Sequence, residues 1–173
     1  MCILCAGKMK IRRATRNDIP RISEIYTFVY RYNFRDILQK DYLYGKISYD
    51  FAIDFFDKSF KDMENNCGIE YYVLEDDNII KGSVSLGFPE NNEELVIIDL
   101  LIDVPFQHNN FGTFIMDYCI ESAKNRKIKT LTLKVFEQNI VAINFYKKYD
   151  FKMEKIVYNE DWKINLLEYK KKI

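Results

Sequence analysis

Three places in this chain gather groups that can do chemistry. The first is Gln107-His108-Asn109-Asn110-Phe111-Gly112-Thr113, a polar loop feeding a stretch with apolar residues at Phe111, Phe114, Ile115, Tyr118 and Cys119. That i, i+3, i+4, i+7, i+8 spacing is one buried helix face. A helix start leaves backbone N–H groups without partners and carries the positive end of the dipole, so a phosphate can sit there. Successive N–H groups converge into a nest, and the absent side chain of Gly112 lets an anion approach the backbone. The second place is Asp99, the one charge in the apolar run Val96 to Ile102. A carboxyl there must be paired, or opens on a cleft where desolvation raises its pKa toward a useful range. The third is Asn139 to Tyr146, with a helix-capping residue type at one end and a phenol at the other. Each also has a plain structural reading: a capping loop for 107–113, a hydrogen-bonded carboxylate for Asp99, and core for Phe145 and Tyr146.

The elements that must position these groups follow from periodicity. Leu95 to Phe151 reads strand, loop, helix, strand, loop, helix, with Asp103-Val104-Pro105-Phe106 ending the first strand. Thr130 to Phe136 alternates, with Leu131, Leu133 and Val135 on one face. Asn139 to Tyr149 is a short helix with Ala142, Phe145, Tyr146 and Tyr149 together. Upstream, Lys10 to Ala14 is a strand. Thr15 to Asp18 caps a helix whose face is Ile19, Ile22, Ile25, Tyr26 and Val29, with Pro20 in its first turn. Arg31 to Gly45 is loop or short helix. Ser48 to Asn65 is helical, and Asn65-Asn66-Cys67-Gly68 stops it. Tyr71 to Glu75 and Ile79 to Leu86 flank Asp76-Asp77-Asn78, a hairpin signal. Phe88 to Glu93 is a turn. Phe151 to Tyr158 and Trp162 to Tyr169 read as closing strands, and Lys170-Lys171-Lys172 as a solvated tail.

Bulk properties narrow the function classes. A length of 173 residues with 48% hydrophobic and 30% charged residues suits one soluble domain. Residues 9–173 read as that domain and residues 1–8 as an extension, with Met9 a natural start. Lys+Arg and Asp+Glu are equal at 26 each, which argues against nucleic acid as partner. No apolar run reaches the roughly 18 residues of a membrane span. Cys2 and Cys5 have C-x-x-C spacing, but no second pair or His cluster completes a metal set, so no metal is expected and the four cysteines read as thiols of a reducing cytoplasm.

The order of elements and two motifs resemble the GNAT superfamily of N-acetyltransferases over roughly residues 10 to 169. Ile102 through Thr113 is similar to the family's Q/R-x-x-G-x-G/A after a strand, which cradles the pyrophosphate of acetyl-CoA. Asn110 stands at the first Gly position; Asn is the best non-glycine choice for left-handed backbone, which costs other L-residues about 1–2 kcal/mol. Asn139 through Phe151 resembles N-x-x-A-x-x-F-Y-x-x-x-G-F, with Asp150 in place of Gly. The resemblance implies an α+β, three-layer fold: a mixed, mostly antiparallel sheet of about seven strands flanked by about four helices. It implies acetyl-CoA as co-substrate, held by Gln107, His108, Asn109, Asn110, Phe111, Gly112 and Thr113 at the pyrophosphate and by Asn139 and Phe145 along the pantetheine arm. It makes Tyr146 the acid that protonates the departing thiolate. It also implies that the strand before the loop splays from its neighbour, freeing backbone N–H groups near Leu101 and Ile102 for the thioester carbonyl. The base that takes the amine's proton is Asp99, Glu94 or water.

Arg31 to Phe60 lies where that family builds its variable acceptor wall. It holds Tyr32, Phe34, Tyr42, Tyr44, Tyr49, Phe51, Phe55 and Phe56, interleaved with Asp36, Asp41, Asp50, Asp54 and Asp57. Aromatic faces with carboxylates suit a cationic amine; the alternative is an aromatic face packed on the sheet with solvated acids opposite. A fainter similarity, Ile11 to Thr15 through Ile25-Tyr26, is to phosphinothricin-type amino-acid acetyltransferases. The expected activity is direct acetyl transfer to a primary amine of a small molecule such as an amino acid or polyamine, since Cys119 and Cys67 are not placed as nucleophiles. Transfer to peptide N-termini or lysines, and a non-catalytic acyl-CoA-sensing domain, stand as alternatives. The expected setting is the cytoplasm, as monomer or homodimer, with acetyl-CoA and an amine as partners and neither nucleic acid nor membrane.

Overall fold

The computed structural model describes residues 9–65, 68–89 and 93–173. The expected extension over 1–8 with its C-x-x-C pair, Cys67, and parts of the turns at 65–68 and 88–93 lie outside the described residues. Strands are β1 (Lys10–Arg13), β2 (Ile69–Asp76), β3 (Ile79–Gly87), β4 (Glu94–Ile102), β5 (Thr130–Phe136), β6 (Lys152–Asn159) and β7 (Ile164–Lys172). Helices are α1 (Ile19–Asn33), α2 (Lys40–Gly45), α3 (Tyr49–Glu64), α4 (Phe111–Asn125) and α5 (Ile140–Lys148). They form the expected α+β fold, with five helices where about four were expected. The added one is α2, six residues whose weak periodicity left loop and short helix both open.

The strands form one sheet in the order β1-β2-β3-β4-β5-β7-β6. All neighbours are antiparallel except β4 and β5. One core packs α1, α2 and α3 on one face of the sheet, through Ile22, Ile25, Val29, Leu43, Ala52, Phe56 and Phe60. A second core packs α4 on the other face through Ile115, Met116, Cys119 and Ala123, with Ile143 of α5. The stripe expected on α4 is rotated slightly: Phe114 is 36% exposed while Met116 is fully buried. No helix of the described residues is long and apolar enough to cross a membrane.

Two expectations near the C-terminus need correction. Trp162 is not in a strand. It lies in the β6–β7 turn, where its N–H donates to Asn159 Oδ1 (2.8 Å) and Lys163 takes φ +54° to leave the turn. Lys170, Lys171 and Lys172 are no tail, because β7 carries them in register with Thr132, Leu131 and Thr130 of β5.

Two features of β4 shape the site. Ser85 pairs with Asp99 but Leu86 pairs with Ile97, so Ile98 is an extra residue, a β-bulge. Before it, Leu95 and Ile97 face the α4 core; after it, Leu100 and Ile102 do, and Leu101 faces α1. A one-residue insertion swaps the faces of everything beyond it. The second feature is that β4 pairs with β5 only from Glu94↔Thr130 to Ile97↔Leu133. Beyond that point β4 stays with β3 to Ile102, β5 stays with β7 to Phe136, and the two strands diverge.

Gly82 of β3 is required by close approach to the diverging strand. A Cβ there would lie 2.7 Å from the Leu101 carbonyl oxygen and 2.8 Å from Ile102 Cδ1. Gly82→Ala is expected to destabilise the fold by about 1–3 kcal/mol through overpacking, read as a fall of several degrees in the thermal midpoint.

Candidate active site

The gap opened between β4 and β5 is where the sequence-marked residues converge. Asp103 N–H donates to Lys81 O (2.9 Å), and the Leu101 carbonyl lies against Gly82, so both peptides face β3. By the alternation of an antiparallel ladder, the amides of Leu100 and Ile102 turn the other way, toward the gap. The Ile102 amide thus faces the gap, whereas the expected Leu101 amide belongs to the β3 ladder and that of Leu100 faces the gap in its place.

Asp99 reaches the α1 side of the sheet because of the bulge at Ile98. Its N–H donates to Ser85 Oγ (3.1 Å) and its carboxylate accepts from the Tyr30 hydroxyl (3.5 Å). The side chain is surrounded by protein yet partly open to solvent. Burial lifts its pKa to about 6, against a smaller downward pull from the Tyr30 hydrogen bond. Glu94 is differently placed, at the far end of β4. Burial pushes its pKa up, but hydrogen bonds from Thr132 and from Lys170 (3.0 Å) outweigh it and hold the carboxyl low.

The loop after β4 builds the other half of the site. A 3-10 turn, Val104–Phe106, carries the chain away from the sheet. Gln107 Nε2 donates to Ile102 O (2.9 Å), and Asn109 Nδ2 to Gln107 O (3.0 Å), so both side chains brace the loop. His108 and Asn110 take φ +63° and +62°, the left-handed conformation that Asn tolerates best. Asn110 is the residue before α4, and its side chain does not cap the helix. The first-turn amides of Phe111, Gly112 and Thr113 therefore have neither an intrahelical acceptor nor a side-chain cap. A Cβ on Gly112 would meet nothing nearer than Phe145 Cζ at 3.8 Å, so folding alone does not demand glycine there.

Helix α5 closes the gap from the α4 side. Asn139 caps it, Oδ1 accepting the Ala142 N–H (3.2 Å), and the amide nitrogen of its side chain has no partner among the described residues. The turn after α5 uses Asp150 at φ +61°. Phe145 packs on Tyr146 (5.5 Å) and Tyr149 (5.3 Å). The Tyr146 hydroxyl has no hydrogen-bond partner among the described residues. It is not sealed either, since the one fully buried side-chain polar atom without a partner there is Ser23 Oγ. Burial raises the Tyr146 pKa, helped by the charge of Asp99 and then by Cys119, so the phenol keeps its proton. Carboxylate and phenol thus approach the gap from opposite faces of the sheet, close enough for one to feel the other.

Sequence reasoning missed Tyr30. It lies four residues beyond Tyr26 on the buried stripe of α1, stacked on it at 4.2 Å. A tyrosine on an apolar stripe still needs a partner for its hydroxyl, and that requirement was the available signal. The acids of 31–60 do not enter the site. Asp36, Asp41, Asp50 and Asp54 are exposed, and Asp57 pairs with Arg16 (2.7 Å) and Lys61 (3.1 Å). Of the aromatic residues in that segment, Phe34 and Phe56 are buried and Tyr42 partly so, while Tyr32, Tyr44, Tyr49, Phe51 and Phe55 are exposed, so neither reading describes it whole.

Comparison with known proteins bears on the fold and the family. The chain is 29% identical to the Bacillus subtilis (strain 168) protein YxbD over 89 residues, 51% of this chain and 54% of YxbD, so it spans about half the length of that relative. Its fold is similar to that of the PaiA N-acetyltransferase from Thermoplasma acidophilum, solved in complex with coenzyme A, with a TM-score of 0.80 at 19% identity over 96% of this chain and 99% of that one. It is also similar to a variant of the spermidine N-acetyltransferase SpeG from Vibrio cholerae, with a TM-score of 0.71 at 16% identity over 95% and 94% of the two chains. The profile of the acetyltransferase (GNAT) family matches residues 31–151, spanning the divergent strands, the loop and α5, and the chain belongs to that family.

Proposed function

We propose that the chain, as one domain over residues 9–173, is a cytoplasmic acetyltransferase that moves the acetyl group of acetyl-CoA directly to the primary amine of a small molecule. The observation that carries this reading is the divergence of β4 from β5 after Ile97 and Leu133, with free amides, a carboxylate and a phenol around it. The residues present fit the co-substrate. Unpaired first-turn amides of α4 suit a diphosphate, and the space over Gly112 lets it reach the backbone. The side-chain amide of Asn139 and the ring of Phe145 suit the polar and apolar stretches of a pantetheine arm. Acetyl-CoA supplies an activated acyl carbon and a thiolate leaving group.

The chain's own residues do the rest. The amides of Leu100 and Ile102 would donate to the thioester oxygen, where charge develops. Asp99, titrating near 6, takes a proton from the incoming ammonium and passes it to solvent. As the C–N bond forms and the C–S bond breaks, Tyr146 gives its proton to sulfur and recovers one from the nitrogen. One ammonium thus yields one amide, one thiol and one released proton. Transfer to a peptide is less favoured, because the α1 side of the gap is walled by rings from α1, α2 and the β6–β7 turn.

The test is titration of the protein with acetyl-CoA, in which absence of binding at millimolar coenzyme refutes the reading. Gly112→Ala is expected to weaken that binding at least tenfold without lowering the thermal midpoint. Alanine suits a first helical turn, and its methyl would meet only Phe145 in the fold. Tyr146→Phe is expected to cut kcat by about 10- to 100-fold with coenzyme affinity unchanged; equal turnover would remove its role as acid. The log of kcat/KM is expected to fall below about pH 6 as Asp99 protonates. Asp99→Asn should abolish that limb. Tyr30→Phe, which removes a bond favouring the ionised form, should move it to higher pH.

A further inference from the structure

Rings from four separate elements form an arc on the α1 side of the gap. Tyr30 and Phe34 of α1 meet at 5.0 Å and 83°. Phe34 meets Phe136, the last residue of β5, at 4.7 Å and 75°. Phe136 meets Trp162 of the β6–β7 turn at 5.1 Å and 60°, and Trp162 meets Tyr42 of α2 at 6.5 Å and 76°. Tyr42 lies near enough to Tyr26 and Tyr30 to act on both phenols electrostatically, so the arc bends back on itself. It bridges the divergence: Tyr30 is bonded to Asp99 of β4 on one bank, and Phe136 ends β5 on the other. Tyr30, Phe34 and Phe136 are buried, while Tyr42 and Trp162 remain partly exposed and form the open end.

Two charged groups lie against rings of the arc among the described residues, Asp99 at Tyr30 and Lys46 at Tyr42. Asp99 is the one carboxylate bonded to a ring of the arc among the described residues. Asp103, four residues on and facing the same way, is held by Arg21, which also binds Glu24 (2.6 Å) and is thereby engaged. Arg31 donates to Ile47 O (3.0 Å) and lies over the Tyr44 ring. The outer Tyr42 face is already taken by Lys46, 5.5 Å from the ring centroid. A second ammonium on the acceptor that reached Tyr42 would meet that like charge. An α-carboxylate, two bonds from the amine, would sit beside Asp99 with no cation to receive it.

Building on the acetyltransferase reading above, we propose that this arc is the acceptor subsite and that its substrate class is a primary monoamine with a flat apolar body, an arylalkylamine. The amine nitrogen lies at Asp99, in the gap facing Tyr146. The ring lies at the open end, against the exposed part of Trp162, whose edge and face suit offset or edge-to-face contact. One carboxylate neutralises one ammonium, and the remainder of the molecule replaces water on apolar surface. Trp162 is accordingly a specificity-determining residue, presented by the turn that Asn159 pins.

The experiment is a panel of 2-phenylethylamine, tryptamine, spermidine, lysine and a short peptide, assayed by release of the CoA thiol, beside a titration with acetyl-CoA. The arylalkylamines are expected to show kcat/KM at least tenfold above the other three. Trp162→Leu is expected to raise KM for 2-phenylethylamine at least tenfold with unchanged acetyl-CoA affinity and thermal midpoint. Coenzyme binding with spermidine, lysine or peptide preferred, or with no amine turned over, overturns the acceptor assignment and leaves coenzyme binding standing. An unchanged KM in Trp162→Leu overturns it too. Failure to bind acetyl-CoA is the distinct outcome that removes the acetyltransferase reading, and this inference with it.

Discussion

Two parallel strands that stop pairing halfway along their length are the constraint on which this structure depends. The sheet is in effect two well-paired halves, β1 to β4 and β5 with β7 and β6, joined by the pairs from Glu94↔Thr130 to Ile97↔Leu133. Unpaired backbone donors are costly unless something takes up the hydrogen bonds. Here the outer ladders keep each half straight, β4 against β3 and β5 against β7, so the gap cannot heal by local rearrangement. The bulge at Ile98 falls directly after the last β4–β5 pair, and a bulge bends its strand and adds twist. Bend and divergence begin at the same residue.

The same bulge decides which face Asp99 occupies, and so couples backbone irregularity to acid–base chemistry. Without the inserted residue, Asp99 would follow Leu95 and Ile97 into the α4 core. With it, the carboxyl meets Tyr30. Helix α1 must then be held firmly enough for a single phenol to matter. Arg12 of β1 bridges Asp18, at the start of α1, and Glu75 of β2, with contacts of 2.8 Å to each. The Arg12 hydrogen bond, followed by those from Thr15, outweighs burial and keeps Asp18 below its ordinary range. Further along, Arg21 of α1 reaches Ile80 O (3.2 Å) and the buried carboxylate of Asp103, tying the helix to β3 and to the end of β4. Both anchors tie α1 to the β1–β4 half of the sheet.

Much of this was legible in the sequence where one residue type in one spacing had a single physical outcome. The alternation of Leu131, Leu133 and Val135 gave β5 its bounds, and the left-handed tolerance of Asn110 and Asp150 anticipated their positive φ angles. Asp99 stood out as a charge in an apolar run. What stayed hidden was parity. Nothing at Ile98, an ordinary strand former, signals an inserted residue, so neither the face of Asp99 nor the direction of the Leu101 amide could be read. Trp162 was misplaced for a related reason. An aromatic residue fits a strand by propensity, but the Asn159 side chain captures its N–H and holds it in the turn. The lysines at the end looked like a solvated run, whereas their backbone completes the ladder with β5.

The placement of the groups also bears on whether an acetyl group would stop on the protein. Cys119 is the described cysteine nearest the chemistry, on the α4 side. Burial pushes its thiol up to about 12, so it carries almost no thiolate at neutral pH and is a poor nucleophile. The groups proposed to act, Asp99 and Tyr146, come from opposite faces of the sheet and meet only through the gap. A carboxylate on the α1 side and a protonated phenol on the α5 side suit an amine entering from one face and a thiol leaving by the other. That separation lets the base be exposed to the acceptor without competing for the acid's proton. Direct transfer across the opened sheet, with no covalent stop on the chain, is the arrangement that uses both.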